Sequence, residues 1–133
     1  VTGKQVPVKG EQYDFNDWKP IQQSWNITDG YDQSFVLNNN ASMSKPVAEA
    51  KSSDGLLHMS VHTTEPVVHF YTGKWIPVIN GKGGKQYEPF SGYCFETQGF
   101  PNAVNVSGFP STLLLPGETY THSTQYIFEC LKK

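Results

Sequence analysis

Glu96 is the residue whose type and position point most directly to chemistry. It lies in the middle of Tyr93-Cys94-Phe95-Glu96-Thr97, whose other members favour an extended backbone, and Gly92 and Gly99 bound the run. The pattern predicts a buried strand, where desolvation would make the carboxylate a usable general base. The alternative is a strand-edge glutamate that faces solvent, because about half of strand positions point outward.

The other candidate chemical motifs fail on spacing. His58 and His62 are four residues apart, which on a helix would suggest a metal pair. On a strand they share a face but lie about 13 Å apart, too far to share one ion. The glycine-rich stretch Gly81–Lys85 lacks the spacing of a phosphate-binding loop. We therefore expect neither a metal nor a cofactor.

Three sequons, at Asn26, Asn40 and Asn105, fit the acceptor pattern for N-glycosylation. Asn40 ends an Asn-Asn-Asn run that is typical of an exposed loop, and it is the best acceptor of the three. The sequons predict a secreted, extracellular glycoprotein, with the cytoplasm as the alternative location. The chain begins at Val1 rather than Met and shows no signal peptide, as expected for a processed or fragmentary product.

Composition excludes several partners. All ten basic residues are lysine and the net charge is −2, so neither arginine forks nor a basic field is available for nucleic acid. No apolar run is long enough to cross a bilayer, so we expect no membrane partner. Cys94 and Cys130 leave three alternatives open, namely one disulfide, reduced thiols in the core, or a bond outside the chain, with a buried thiol expected for Cys94.

These residues must be positioned by strands. The 12 glycines, nine prolines and 14 % aromatic residues are typical of short strands joined by turns. The alternation of Leu57, Met59 and Val61 with polar neighbours predicts a strand with one wet face. Turns are predicted at Asn80–Lys85 and at Pro116-Gly117. The predicted strands are 34–38, 46–51, 56–64, 67–72, 91–98, 112–115 and 119–130, and the fold class is an all-β sandwich.

Four sequence words occur in an order that resembles the aldose 1-epimerase (galactose mutarotase) family, in its C-terminal part. They are Tyr-Asp-Gln-Ser-Phe-Val-Leu from Tyr31, Phe-Tyr-Thr-Gly from Phe70, Phe-Glu-Thr-Gln with Pro-Asn-Ala-Val-Asn from Phe95, and Leu-Pro-Gly-Glu-Thr-Tyr from Leu115. The resemblance covers nearly the whole chain. It implies that residues 1–133 form the C-terminal portion of one large antiparallel sandwich domain, whose family members are more than twice as long.

Half of such a sandwich leaves apolar strand faces and edges uncovered. We therefore expect a companion chain that carries the N-terminal half of the fold. The alternative is a half-fold that is self-sufficient or pairs with a copy of itself.

The resemblance also implies roles for individual residues. The family's catalytic base carries over to Glu96, and its sugar-binding aspartate carries over to Asp32, for which the alternative is a residue that caps the turn at 28–30. His69 stands where the family usually has a sugar-contacting glutamine, a departure that bears on substrate preference. Gln33 replaces a histidine and Lys74 an asparagine, and for Lys74 we expect a solvated strand-end lysine. The family's acid, a histidine of the N-terminal half, has no counterpart here.

The leading hypothesis is therefore an isomerase that interconverts the anomers of a free hexose such as galactose or glucose, acting together with the N-terminal half. A second hypothesis, motivated by positions 33, 69 and 74, is a sugar-binding protein without catalytic activity. A third is a structural or storage glycoprotein that uses the sandwich as a scaffold.

Overall fold

The computed structural model describes residues 2–26, 28–38 and 41–131. Within these ranges the chain is all-β, as the sequence predicted, and its helical content is limited to short 3-10 turns at Ile21–Ser24, Lys82–Gly84 and Ala103–Asn105. None of the described helical segments has the length and apolar character needed to span a membrane. The strands are β1 (Asp32–Val36), β2 (Ala48–Lys51), β3 (Leu57–Thr63), β4 (Val67–Tyr71), β5 (Ile79–Asn80), β6 (Gln86–Tyr87), β7 (Cys94–Gln98) and β8 (Thr124–Cys130).

The described strands form sheets with the orders β1-β4-β7, β2-β3-β8 and β5-β6. The chain divides into two compact units. Unit 1 comprises Val1–Gln33 and Phe70–Cys94, and unit 2 comprises Ser34–His69 and Phe95–Lys133. Strands β1, β4 and β7 each contribute residues to both units. The assignment of residues 1–133 to a single domain stays a prediction.

An aromatic cluster forms the core of unit 1. Tyr31 and Phe70 are 1 % and 4 % exposed, and their rings stack with centroids 5.4 Å apart. Phe15 meets both rings edge-on, at 5.1 and 5.6 Å. Because successive strand side chains point to opposite faces, the burial of Tyr31 turns its neighbour Asp32 outward, and Asp32 is exposed.

Unit 2 contains the antiparallel sheet β2-β3-β8. Its register places Met59 between Ala50 and Phe128, and His58 between Lys51 and Glu129. The predicted alternation of apolar and polar residues along β3 is confirmed. The expectation of a wet polar face is wrong at Ser60, which is 7 % exposed, because β3 is the central strand and has a neighbour on each side.

One predicted strand is absent and others have wrong bounds. Residues 112–115 form no strand, and β1 is Asp32–Val36 rather than 34–38. Strand β7 begins at Cys94 rather than at 91, and the C-terminal strand begins at Thr124 rather than at 119. The Pro116-Gly117 turn is confirmed, and Glu118 accepts the Leu115 N–H at 2.8 Å across it. The side chain of Tyr120 donates to Glu65. Side-chain bonds therefore hold part of a segment that a strand ladder was expected to hold.

The glycine-rich turn is confirmed as a turn, and it joins two short strands, β5 and β6, that the sequence pattern did not predict. Each strand has two residues, too few to produce an alternation of apolar and polar side chains.

Candidate functional site

Glu96 lies in strand β7 of unit 2, and the predicted strand is confirmed. Its predicted burial is wrong, because Glu96 is exposed while the other members of the strand are half-buried. The hydroxyls of Thr97 and of Thr124 in β8 share a hydrogen bond at 2.6 Å, so the side chain of Thr97 points toward β8. Glu96 takes the opposite face by alternation. The solvent-facing alternative therefore describes this chain.

The backbone that carries Glu96 is tied to β8. The hydroxyl of Tyr126 donates to the carbonyl oxygen of Phe95 at 2.6 Å. Together with the bond between Thr97 and Thr124, this contact anchors the residues on both sides of Glu96. The structure thus presents a carboxylate at the surface of a strand whose neighbouring residues are held in place.

His69 lies in β4 of unit 2 and is half-buried. Its Nδ1 is 2.9 Å from the Ser34 hydroxyl of β1, within hydrogen-bonding distance. This contact sets the orientation of the imidazole plane, since the ring cannot rotate without losing it. A neutral imidazole offers one donor and one acceptor, fewer sites than the amide of a glutamine.

Asp32 is the first residue of β1 and lines a cavity of about 320 Å³ in unit 1. The turn before it is held by Asn26, whose side-chain oxygen accepts the Thr28 N–H at 3.1 Å, and Asp32 lies beyond that turn. The cavity walls are polar apart from Gly30 and two aromatic residues, and they comprise Gln12, Tyr13, Asn26, Asp29, Gly30, Asp32, Gln33, Lys74 and Trp75.

Lys74 is an ion-pair partner rather than the solvated lysine that the sequence predicted. Its Nζ lies 2.7 Å from Asp29 Oδ1, and its side chain is only 28 % exposed. The expectation was wrong because the turn at 28–30 brings Asp29 within reach. The hydrogen bond and the positive charge of Lys74, with a further hydrogen bond from Thr28, hold the pKa of Asp29 below its ordinary value.

Trp75 forms an exposed aromatic wall of the same cavity. It is 72 % exposed, although its backbone N–H donates to the hydroxyl of Tyr71 at 2.6 Å. The Lys74 Nζ lies 5.1 Å from the indole centroid, a cation–π distance. The preceding Gly73 has φ +77°, and a Cβ there would lie 2.7 Å from the side chain of Ile76, so this sharp turn requires glycine.

The structure thus groups Asp32, Gln33 and Lys74 in the unit 1 cavity, whereas His69 and Glu96 lie in unit 2 on strands that are neighbours in the sheet order. Gln12 and Asn26 were not predicted as cavity residues. No motif marks the chain around Gln12, and Asn26 was predicted only as a glycosylation site.

The sequence also did not predict a cluster formed by Glu65, Tyr120 and His122. Glu65 is 5 % exposed, accepts a hydrogen bond from Tyr120 and lies 3.9 Å from His122 Nδ1. More than 50 residues separate Glu65 from Tyr120 and His122, so no local sequence pattern connects them.

The three sequons differ in what the structure describes. Asn40, the preferred acceptor, lies outside the described residues. Asn26 is exposed, and its amide donates to Asp29 at 3.0 Å. Asn105 is exposed and ends the 3-10 turn Ala103–Asn105. Glycosylation at all three positions stays a prediction.

Among the described residues, no group of three His, Cys, Asp or Glu side chains has metal-binding geometry. His58 contacts Glu49 at 3.0 Å and Glu129 at 3.1 Å, so its ring joins carboxylates on the two flanking strands. Cys94 is half-buried and Cys130 exposed, and both are thiols, which leaves the disulfide alternative without support.

Comparison with known proteins matches residues 1–127 to the family described as aldose 1-epimerase. Galactose mutarotase of Sus scrofa is 37 % identical to this chain in an alignment that covers 96 % of the chain. Galactose mutarotase of Rattus norvegicus is 38 % identical with the same coverage. Aldose 1-epimerase of Escherichia coli strain K12 is 30 % identical over 91 % of the chain. The chain spans 37–38 % of the length of these three relatives.

A solved structure shows the same fold. The GalM/aldose epimerase homologue from C. elegans superposes with a TM-score of 0.85 at 25 % identity. The match covers 98 % of this chain and 40 % of the C. elegans chain.

Proposed function

This chain belongs to the aldose 1-epimerase family, and from that premise we propose that it takes part in interconverting the α and β anomers of a free hexose such as galactose or glucose. The family match over residues 1–127 is the observation that carries the proposal. Glu96 stands where the resemblance implies the base and lies on a strand that Tyr126 and Thr124 anchor to β8. This anchoring supports the proposal, whereas the exposure of Glu96 does not.

The reaction requires two proton transfers on a hemiacetal. A base removes the proton of the anomeric hydroxyl while an acid protonates the ring oxygen, and the ring opens to the free aldehyde. Rotation about the C1–C2 bond and reclosure then give the other anomer. We assign the base to Glu96, whose carboxylate can accept the hydroxyl proton directly. No cofactor or metal is needed for these steps.

We assign substrate binding to Asp32 and His69. A carboxylate accepts hydrogen bonds from two neighbouring sugar hydroxyls, and a charged acceptor makes stronger bonds than a neutral one. An imidazole held by Ser34 offers a donor or acceptor in a set orientation. Because the ring has fewer bonding sites than an amide, His69 is expected to change which hexose is preferred.

We further propose that the acid is supplied by a companion chain that carries the N-terminal half of the fold. The resemblance assigns the acid to none of the four histidines of this chain. One of them, His58, already contacts two carboxylates. Such a companion would also desolvate Glu96 when the sugar is bound, which the chain by itself does not do.

The Glu96→Gln variant tests the proposal. The amide has the same shape but cannot accept the proton, so mutarotation followed by polarimetry should fall at least about 100-fold, within the range typical of a lost general base. Glu88→Gln, which removes another exposed carboxylate, should keep full activity. Full mutarotation by Glu96→Gln would refute the assignment.

A catalytically inactive sugar-binding protein is the second candidate, favoured by the substitutions at positions 33, 69 and 74. Sequencing of any polypeptide that co-purifies with this chain distinguishes the two. A companion that carries a histidine in the sugar cleft supports the isomerase, and a companion without one supports the binding protein.

We also propose that the protein is secreted and carries N-linked glycans at Asn40, Asn26 and Asn105. The sequons support this, together with the exposure of Asn26 and Asn105. Digestion of the native glycoprotein with an amide-cleaving glycosidase should lower its mass and convert each occupied asparagine to aspartate. An unchanged mass would count against the proposal.

A further inference from the structure

We propose that Thr124 is a positioning residue for the carboxylate of Glu96, and that the buried hydroxyl of Thr63 holds Thr124 in place. The inference deepens the proposed function and rests on it, because it bears on turnover only if Glu96 is the base. It goes further in giving a role to two threonines of other strands, neither of which is assigned to the sugar or to the proton transfers.

Strand β7, which carries Glu96, lies at an edge of its sheet in the part of the chain that the structure describes. In the order β1-β4-β7, only β4 flanks it. A strand ladder therefore supports β7 on one side, and its position on the other side depends on further contacts. Strand β8 provides two, because Tyr126 bonds the residue before Glu96 and Thr124 bonds the residue after it.

Three threonine hydroxyls, on β7, β8 and β3, form a continuous chain of hydrogen bonds. The hydroxyl oxygens of Thr97 and Thr124 are 2.6 Å apart, and those of Thr124 and Thr63 are 3.0 Å apart. Thr97 and Thr124 are half-buried, whereas Thr63 is 0 % exposed, so the chain ends where water has no access.

The available acceptors assign a direction to this chain. A hydroxyl has one proton to donate, and Thr63 donates its proton to the carbonyl oxygen of Ser123 at 3.2 Å. Thr63 accepts the backbone N–H of Glu65 at 3.0 Å and, in our assignment, the proton of Thr124. Thr124 in turn accepts the proton of Thr97. Every hydroxyl proton then has an acceptor, and hydrogen bonds arranged in such a chain strengthen one another.

The far end of the chain is fixed in the turn between β3 and β4. The Thr64 N–H donates to the Ser123 carbonyl oxygen at 3.0 Å, and the Ser123 N–H donates to the Thr64 hydroxyl at 3.0 Å. The carbonyl oxygen that accepts the Thr63 proton is therefore held by a second donor. Thr63 thus connects a bonded turn to β7 through Thr124.

The placement of β7 matters because a general base must lie within hydrogen-bonding distance of the proton that it removes. Glu96 is exposed, so packing around its side chain contributes little to its position, and the position of its backbone matters more. A misplacement of about 1 Å in a catalytic group can cost about 100-fold in rate. We therefore expect loss of the threonine chain to reduce turnover without changing the groups that bind the sugar.

The test compares Thr124→Val, which keeps the branched shape but removes the hydroxyl, with Thr124→Ser, which keeps the hydroxyl. In the native protein with any polypeptide that co-purifies, Thr124→Val should lower kcat for mutarotation about tenfold and leave KM unchanged. Thr124→Ser should restore most of kcat. Thr63→Val should also lower kcat, because it leaves Thr124 without its acceptor.

Ser60→Ala is the matched control. Ser60 is 7 % exposed, lies on the same strand as Thr63, and has a hydroxyl that bonds His62 Nε2 at 3.3 Å outside the threonine chain. It should leave kcat unchanged. An unchanged kcat in Thr124→Val overturns the proposal, as does an equal loss in Thr124→Ser or in Ser60→Ala, since either would indicate a general loss of stability.

Amide hydrogen exchange separates this proposal from the proposed function. Thr124→Val should raise the exchange rates of the amides in Cys94–Gln98 about tenfold and leave those of Ala48–Lys51 unchanged. Unchanged exchange in β7 overturns the positioning role while the catalytic proposal stands. Faster exchange in β7 together with full turnover by Glu96→Gln refutes the catalytic proposal, while the anchoring of β7 by Thr124 stands.

Discussion

At the scale of single residues, the contacts of the side chains decide between the alternatives that the sequence left open. Lys74 and Trp75 are adjacent in the chain, and one makes an ion pair while the other stays exposed. The difference arises because Asp29 comes within 2.7 Å of the Lys74 ammonium. Lys74 was expected in solvent and is paired, whereas Glu96 was expected in the core and faces outward.

The Asp29–Lys74 pair makes a prediction about acid pH. The pKa of Asp29 is lowered chiefly by Lys74, so the pair stabilises the folded state above the ordinary carboxyl value of 3.8. That contribution is lost as the pH falls through the lower pKa of the folded state. Carboxyl NMR titration of Lys74→Met should move the pKa of Asp29 up toward 3.8.

Lys82→Met, which removes a lysine from the glycine-rich turn, should leave the Asp29 titration where it is. If Lys74→Met also leaves it unchanged, Lys74 is not the cause of the shift.

At the scale of elements, glycine positions decide which turns can form. Gly30 precedes the first residues of β1 and has φ +59°, in the left-handed region that non-glycine residues adopt at a cost. A Cβ there would overlap the Thr72 hydroxyl and lie 2.8 Å from Phe90 Cε1. The Thr72 hydroxyl in turn accepts the Tyr31 N–H at 2.8 Å. The start of the strand that carries Asp32 therefore depends on the absence of a side chain at Gly30.

Gly30→Ala should consequently destabilise the protein more than Gly55→Ala. Both positions have positive φ, and each substitution should cost about 1–2 kcal/mol of backbone strain. At Gly55 nothing lies within 4 Å of the added carbon, whereas Gly30→Ala adds overlap worth about 1–3 kcal/mol. Urea unfolding of the two variants gives the difference. Equal losses of unfolding free energy would show that the site around Gly30 can relax.

At the scale of the whole molecule, large apolar side chains remain exposed in both units. Trp75 is 72 %, Leu113 69 % and Phe128 62 % exposed, and Phe128 belongs to the apolar side of the β2-β3-β8 sheet. Each such side chain is stabilised when another surface covers it and removes its apolar area from water. This chain spans 38–40 % of the length of its relatives. That share is consistent with the proposal that further polypeptide covers the exposed apolar side chains.

Native mass spectrometry tests this prediction. If the proposed companion is present, the particle that contains this chain should exceed twice the chain mass of 14.9 kDa, because the companion would supply the larger share of the fold. Denaturation should then release a chain of 14.9 kDa together with a second, different polypeptide, or release one longer polypeptide. A native particle of 14.9 kDa would contradict the companion, and an integral multiple of this chain alone would favour self-pairing.

The sequence by itself determined the all-β class, strands β1 to β4 and β7, and both turns, because alternation and glycine or proline punctuation are local properties of the chain. It also pointed to the family through words whose order is written in the chain. Tertiary structure alone decided that Glu96 faces outward, that Lys74 is paired and that Gln12 joins Asp32 in one cavity. Those outcomes depend on which surface covers each strand and on contacts between residues distant in sequence, and no local pattern encodes them.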